Sequence, residues 1–211
     1  FGIHLEKKEG VFYFSEGQYY TGNTYEIEGD WSGAATHIVG AVISGKLQLS
    51  GLNPTSKQAD RAILEVVKSA GCEFQFIDSI LHLNNNQKIK PFSFDILNCP
   101  DLFPVLAILA CAANGCSQIS GIHRLLNKES NRLKSVQEML LRFGVESNVE
   151  NDTIFIHGTG KVKAAEISSY NDHRIVMAAA IAATISDGPI SIENVEAIQK
   201  SYPTFFEVLL A

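Results

Sequence analysis

Pro100-Asp101-Leu102-Phe103-Pro104-Val105-Leu106-Ala107-Ile108-Leu109-Ala110-Cys111-Ala112-Ala113 is an aspartate followed by an apolar run, and Gly115 closes it. An N-cap residue, a fully apolar body and a terminal glycine predict a buried helix. The same pattern occurs twice more. Gly29-Asp30-Trp31-Ser32-Gly33-Ala34-Ala35 opens a small-residue stretch ending at Gly45, and Asn171-Asp172 opens Met177-Ala178-Ala179-Ala180-Ile181-Ala182-Ala183, ending at Gly188. Asp30, Asp101 and Asp172 are 71 residues apart in both intervals. A fixed period of this length is the mark of an internal repeat.

Each copy continues alike. An alternating strand follows the helix: Lys46 to Gly51, Ser117 to Gly121, and Pro189 to Asn194. A second helix opens near Lys57, Lys128 or Lys200; in the first two copies it carries Ile63/Val66/Val67/Ala70 and Val136/Met139/Leu140/Phe143, then stops at Gly71 and Gly144. Two strands close the unit, Phe74–Phe76 with Ile80–Leu83 and Val145–Val149 with Thr153–His157. One copy therefore reads strand, helix, strand, helix, strand, strand. The fold expected is α+β, three βαβαββ repeat units around buried parallel helices, with the third unit incomplete. The units run over about 25–86, 87–160 and 161–211. Phe1-Gly2-Ile3-His4-Leu5-Glu6, the turn Lys7–Gly10 and Val11–Phe14 match the half-unit beginning at Phe143-Gly144. Residues 1–24 thus read as the remnant of a preceding domain, and the chain as a fragment of something longer. A plain N-terminal hairpin is the alternative, and Phe1–Phe14 docking as the missing strands of the third unit is a further expectation.

The chain has 211 residues, 45% of them hydrophobic, enough for one large core or two small ones. Its net charge of -6 argues against nucleic-acid and anionic-membrane partners. The longest apolar run, Ile175–Ile185, is about half of what a bilayer requires. Cys72, Cys99, Cys111 and Cys116 form neither a CxxC pair nor a zinc-spaced cluster, so a cytoplasmic, reducing setting without structural metal is expected.

Repeats arranged about a pseudo-threefold axis bring equivalent helix ends together. Free N–H groups and positive dipole ends then converge on one surface and favour an anion. Around it the copies place different side chains. Arg132 and Arg174 can fork onto a carboxylate or phosphate, and Glu129 has cationic neighbours suited to a proton carrier. The plain readings are helix capping for the aspartates, a surface i,i+3 ion pair for Glu129 and Arg132, and packing for His173.

Asn127-Lys128-Glu129-Ser130-Asn131-Arg132, Tyr170-Asn171-Asp172-His173-Arg174, Lys200-Ser201-Tyr202-Pro203-Thr204-Phe205-Phe206 and Ile27-Glu28-Gly29-Asp30-Trp31-Ser32 together resemble the 3-phosphoshikimate 1-carboxyvinyltransferase (EPSP synthase) family of enolpyruvate transferases. The resemblance covers essentially the whole chain and implies the C-terminal half of a two-domain enzyme whose fold is shared with RNA 3'-terminal phosphate cyclases. It also implies transfer of the enolpyruvyl group of phosphoenolpyruvate to the 5-hydroxyl of shikimate 3-phosphate, with loss of phosphate and without metal or cofactor. By that resemblance Asp101 would deprotonate the hydroxyl and Glu129 would exchange the C3 proton. Lys128 would contact the shikimate phosphate side, Arg132 and Arg174 the phosphoenolpyruvate carboxylate, and His173 and Lys200 its phosphate. Arg124 falls where some members carry an amide on the shikimate phosphate, and Asn131 where an acidic residue is usual. The missing N-terminal domain would supply further ligands, so the fragment alone is expected to be inactive. The alternatives are a UDP-N-acetylglucosamine enolpyruvyl transferase and a non-catalytic domain of the same fold.

Overall fold

The structure, a computed structural model, describes residues 1–126 and 128–210; Asn127, in the lysine-glutamate motif, lies outside them, as does Ala211. In chain order the elements are β1 (Leu5–Lys8), β2 (Val11–Phe14), α1 (Trp31–Ser44), β3 (Lys46–Leu49), α2 (Ile63–Ser69), β4 (Phe74–Ile77), β5 (Ile80–Asn84) and β6 (Ser93–Asp95). They continue with α3 (Phe103–Ala112), β7 (Asn114–Ser120), α4 (Arg132–Arg142), β8 (Glu146–Glu150), β9 (Thr153–Thr159), β10 (Ala165–Ser168), α5 (His173–Ala182), β11 (Ile190–Glu193) and α6 (Phe205–Leu209).

The sheets are portions of one pattern. The second unit has the order β6-β7-β9-β8, with β6 parallel to β7 and the remaining pairs antiparallel. The first unit repeats it without the leading strand, as β3-β5-β4, and the third keeps only the parallel pair β10-β11. Expectation and structure part at the start of the first unit. Residues 21–30 form no strand, and Tyr25 and Ile27 remain exposed. A backbone bond from Gly29 N–H to Gly51 O at 2.8 Å is what ties this segment to the end of β3. Among the described residues the hairpin β1-β2 pairs only with itself and does not join β10-β11, so it does not complete the third unit there. Its turn is Glu9-Gly10, both at positive φ, which leaves Lys7 and Lys8 in the strand rather than in the turn.

Helices α1, α3 and α5 touch one another at the centre. Every residue of α3 is buried, as expected for a helix with no polar face. Small residues set the spacing: a Cβ on Gly40 of α1 would come within 3.0 Å of Ile181 on α5. On β9, a Cβ on Gly158 would fall 1.9 Å from Ala110 O and 2.4 Å from Ala113 O, so the sheet lies directly on the end of α3. Among the described residues, no helix is long and apolar enough to cross a membrane.

Candidate functional site

The three aspartates do not play one role. Asp30 caps α1, accepting from Ser32 N–H and Gly33 N–H at 2.9 Å each. Asp172 caps α5 through Arg174 N–H at 2.9 Å. Asp101 caps no helix among the described residues. Pro104 has no N–H and is tolerated only in a first turn, so α3 begins at Phe103 and Asp101 falls in the preceding 3-10 turn Pro100–Leu102. Its carboxylate is thereby free to face the segments before α4 and at the start of α5.

Three cations occupy it. Asp101 Oδ1 lies 2.7 Å from Arg132 Nη1 and 3.2 Å from Lys128 Nζ, and Asp101 Oδ2 lies 3.2 Å from Arg174 Nη2. Burial alone would push the Asp101 carboxyl up, but Arg174, Arg132 and Lys128 outweigh it and hold the group below the ordinary carboxylate range. Asp101 is therefore an ionised acceptor at neutral pH.

Helix α4 opens at Arg132, four residues after the Lys128 expected to open it, because Asn131 is the N-cap, accepting from Lys134 N–H at 3.2 Å. The side chain of Arg132 is wholly buried, so its contact with Glu129 is no surface ion pair. Arg132 Nη2 donates to Glu129 Oε2, while Nε donates to Asp172 Oδ2 at 3.0 Å. Ser130 Oγ adds a bond to Asp172 Oδ2 at 3.1 Å. Burial opposes the Arg132 charge, yet the surrounding carboxylates, Asp172 first, raise its pKa further.

The other expected residues are placed unequally. Arg174 Nη2 also donates to Ser32 Oγ at 3.0 Å. His173 is buried at the start of α5, its pKa lowered by burial and then by Arg174, against the opposing pull of Asp172 and Glu129. Lys200 ends the 3-10 turn Val195–Lys200, outside any α-helix, and donates to Asn171 O at 2.5 Å. Arg124 lies in the turn Ile122–Leu125 and donates to Leu97 O at 3.0 Å, with no bond to the Asp101 cluster among the described residues. Lys57, the counterpart of Lys128, is exposed.

Sequence reasoning missed Ser32 and Asp60. Asp60 stands one 71-residue period before Asn131, which was the signal available for it. Its carboxyl is pushed up by burial, by Asp101 and by Asp30, with Arg174 opposing. Asp60 Oδ1, His173 Nδ1, His173 Nε2 and Arg174 Nε are buried side-chain atoms that find no hydrogen-bond partner among the described residues. Buried polar atoms without partners are uncommon and call for an explanation. All four belong to residues that feel the charges of this one cluster. No group of His, Cys, Asp and Glu suited to a metal ion occurs among the described residues. Chemically, the arrangement offers cationic forks for an anion beside two carboxylates able to move protons.

A model of the family described as EPSP synthase (3-phosphoshikimate 1-carboxyvinyltransferase) matches residues 1–209. The 3-phosphoshikimate 1-carboxyvinyltransferase of Brachyspira hyodysenteriae is 35% identical over 191 residues, 90% of this chain and 46% of that protein. Its namesake from Clostridium acetobutylicum is 35% identical over 210 residues, 99% of this chain and 48% of that protein. A solved EPSP synthase structure from Acinetobacter baumannii superposes with a TM-score of 0.87 at 27% identity, covering all of this chain and 52% of that one. The chain thus spans about half the length of the curated relatives it matches.

Proposed function

Since this chain belongs to the EPSP synthase family, we propose that it forms one wall of an active site transferring the enolpyruvyl group of phosphoenolpyruvate to the 5-hydroxyl of shikimate 3-phosphate. The other wall comes from a second, N-terminal half of the protein. The observation that carries this reading is Asp101 held among Lys128, Arg132 and Arg174. Three cations converging on one partly exposed carboxylate can exchange it for the negative groups of a substrate pair.

The reaction has two stages. The 5-hydroxyl oxygen bonds to C2 of the enol and loses its proton, while C3 gains one; C3 then loses a proton as the C2–O bond to phosphate breaks. Asp101 accepts the hydroxyl proton. When the phosphoenolpyruvate carboxylate draws Arg132 and Arg174 toward itself, Asp101 loses the counter-ions that hold its pKa down and becomes a better base. Glu129, bonded to Arg132, carries the C3 proton in both directions. Lys128, tied to Asp101, serves the shikimate phosphate side, and Arg124, held to Leu97 O away from that cluster, is assigned to the same phosphate by the resemblance alone. His173 and Lys200 serve the phosphate that leaves; the unpartnered ring nitrogens of His173 support this role.

Phosphate release by the full-length protein tests the reading. Release with phosphoenolpyruvate and shikimate 3-phosphate, lost in Glu129→Ala and Arg174→Ala, is the expected result. Release only with UDP-N-acetylglucosamine as acceptor would move the same site to another substrate, and silence with both acceptors would refute catalysis.

A further inference from the structure

Arg174 and Ser32 come from different units, 142 residues apart, yet Arg174 Nη2 donates to Ser32 Oγ at 3.0 Å. Ser32 Oγ lies 2.8 Å from each carboxylate oxygen of Asp30, and Asp30 is itself fixed by the backbone N–H groups that open α1. The polarity of this chain of bonds has one solution. An ionised Asp30 only accepts, so the Ser32 proton turns toward Asp30 and a lone pair is left for Arg174. Asp30, Ser32 and Arg174 thus form a directed relay from the N-terminus of α1 to the first turn of α5.

We propose that Ser32 is a positioning residue for Arg174, fixing the guanidinium so that its remaining donors face the carboxylate of phosphoenolpyruvate. The inference rests on the reading of Arg174 as a ligand of that carboxylate. Arg174 Nη2 has two anchors, Ser32 Oγ and Asp101 Oδ2. Asp101 belongs to the acid-base machinery and gives up its counter-ions when substrate arrives. Ser32 is a neutral hydroxyl, nearly buried and bound to a helix cap, so it keeps its hold throughout. It preserves the aim of the arginine without competing for its charge. Ser32→Ala leaves the backbone N–H in place, and the Asp30 cap survives the test.

In the full-length protein, Ser32→Ala is expected to raise the KM for phosphoenolpyruvate about tenfold, while kcat and the KM for shikimate 3-phosphate stay within about twofold. Ser32→Thr, which keeps the hydroxyl, is expected to restore the wild-type KM. A phosphoenolpyruvate KM unmoved in Ser32→Ala, or equal damage in Ser32→Thr, overturns the proposal. A second readout separates it from the function itself. The side-chain N–H signals of Arg174 in the ligand-free protein should be resolved in the wild type, because bonded guanidinium groups rotate slowly, and averaged in Ser32→Ala. If the wild type releases no phosphate, the proposed reaction fails while these signals still decide the tie: identical Arg174 signals in both proteins overturn it.

Discussion

Arg132 Nε and Asp172 Oδ2 meet at 3.0 Å with neither side chain exposed to solvent. This pair joins the start of α4 in the second unit to the cap of α5 in the third. Two opposite charges with no access to water are held by one another and by the bonds each makes elsewhere. Asp172 does two jobs, because the carboxylate that accepts from Arg132 also accepts Arg174 N–H.

The two jobs separate by substitution. Asp172→Asn retains a side chain able to cap a helix but leaves Arg132 short of a buried counter-charge, and it is expected to destabilise the chain by about 3 kcal/mol. Asp172→Ala removes the cap as well, at a further cost of about 1 kcal/mol. Urea denaturation at pH 7 measures both. Equal midpoints for wild type and Asp172→Asn would mean that Asp101 and Glu129 suffice to hold Arg132.

Two neighbouring carboxyls respond to acid with opposite signs. The folded-state pKa of Asp101 is depressed, so its contribution to stability is present above the ordinary value of 3.8 and is lost as the pH falls through the lower folded value. That of Asp60 is raised, so its ionisation opposes folding at neutral pH, and the opposition fades as the pH falls through the raised value and is gone below 3.8. Asp60→Asn is therefore expected to stabilise the protein at pH 7 and to lose that advantage below about pH 3.8. Asp101→Asn is expected to destabilise it at pH 7. Denaturation midpoints across this range check both signs, and a gain from Asp60→Asn that persists at low pH would contradict the assignment.

Much of this was legible in the residues because a repeat reads one unit three times. The period linking Asp30, Asp101 and Asp172 located the starts of all three central helices to within two residues. What it could not distinguish was function within the repeat. Asp30 and Asp172 cap their helices, whereas Asp101 is released from capping by a proline four residues into the motif. That difference was present in the sequence, in Pro104, but the repeat itself argued for equivalence. The burial of Arg132 and the tie between Ser32 and Arg174 were not legible, since each joins different units and depends on how these pack. The leading strand of the first unit was expected from the repeat alone, and it is absent because Tyr25 and Ile27 find no sheet to bury against and remain in solvent.

Gly158 shows the same limit as a matter of space. Its place in β9 gives no local hint of a requirement for glycine, but a Cβ there would stand 1.9 Å from a carbonyl oxygen of α3. Backbone on both sides cannot yield as a side-chain tip would. Gly158→Ala is expected to destabilise by about 3 kcal/mol or to prevent folding, whereas alanine at Gly22, which has open space around it, should change stability by less than about 0.5 kcal/mol. Thermal denaturation of the two variants side by side tests the contrast. A Gly158→Ala protein that melts with the wild type would mean that the contact between β9 and α3 is looser than described.

Proton transfer and anion binding should also separate in kinetics. Glu129 is bonded to Arg132, and Asp101 to Arg132, Lys128 and Arg174, so each carboxylate touches the groups assigned to the anion without being one of them. In the full-length protein, Glu129→Gln keeps the shape of the side chain and removes its ability to carry a proton. The expected result is a fall in kcat of about 10²- to 10⁴-fold with a small change in the KM for phosphoenolpyruvate. Arg174→Lys keeps the charge and removes the fork, and the main expected effect is a rise in that KM. Steady-state phosphate release measures both. If Glu129→Gln instead raised KM and spared kcat, Glu129 would be a structural anchor for Arg132, and the C3 proton would have to be carried by another group.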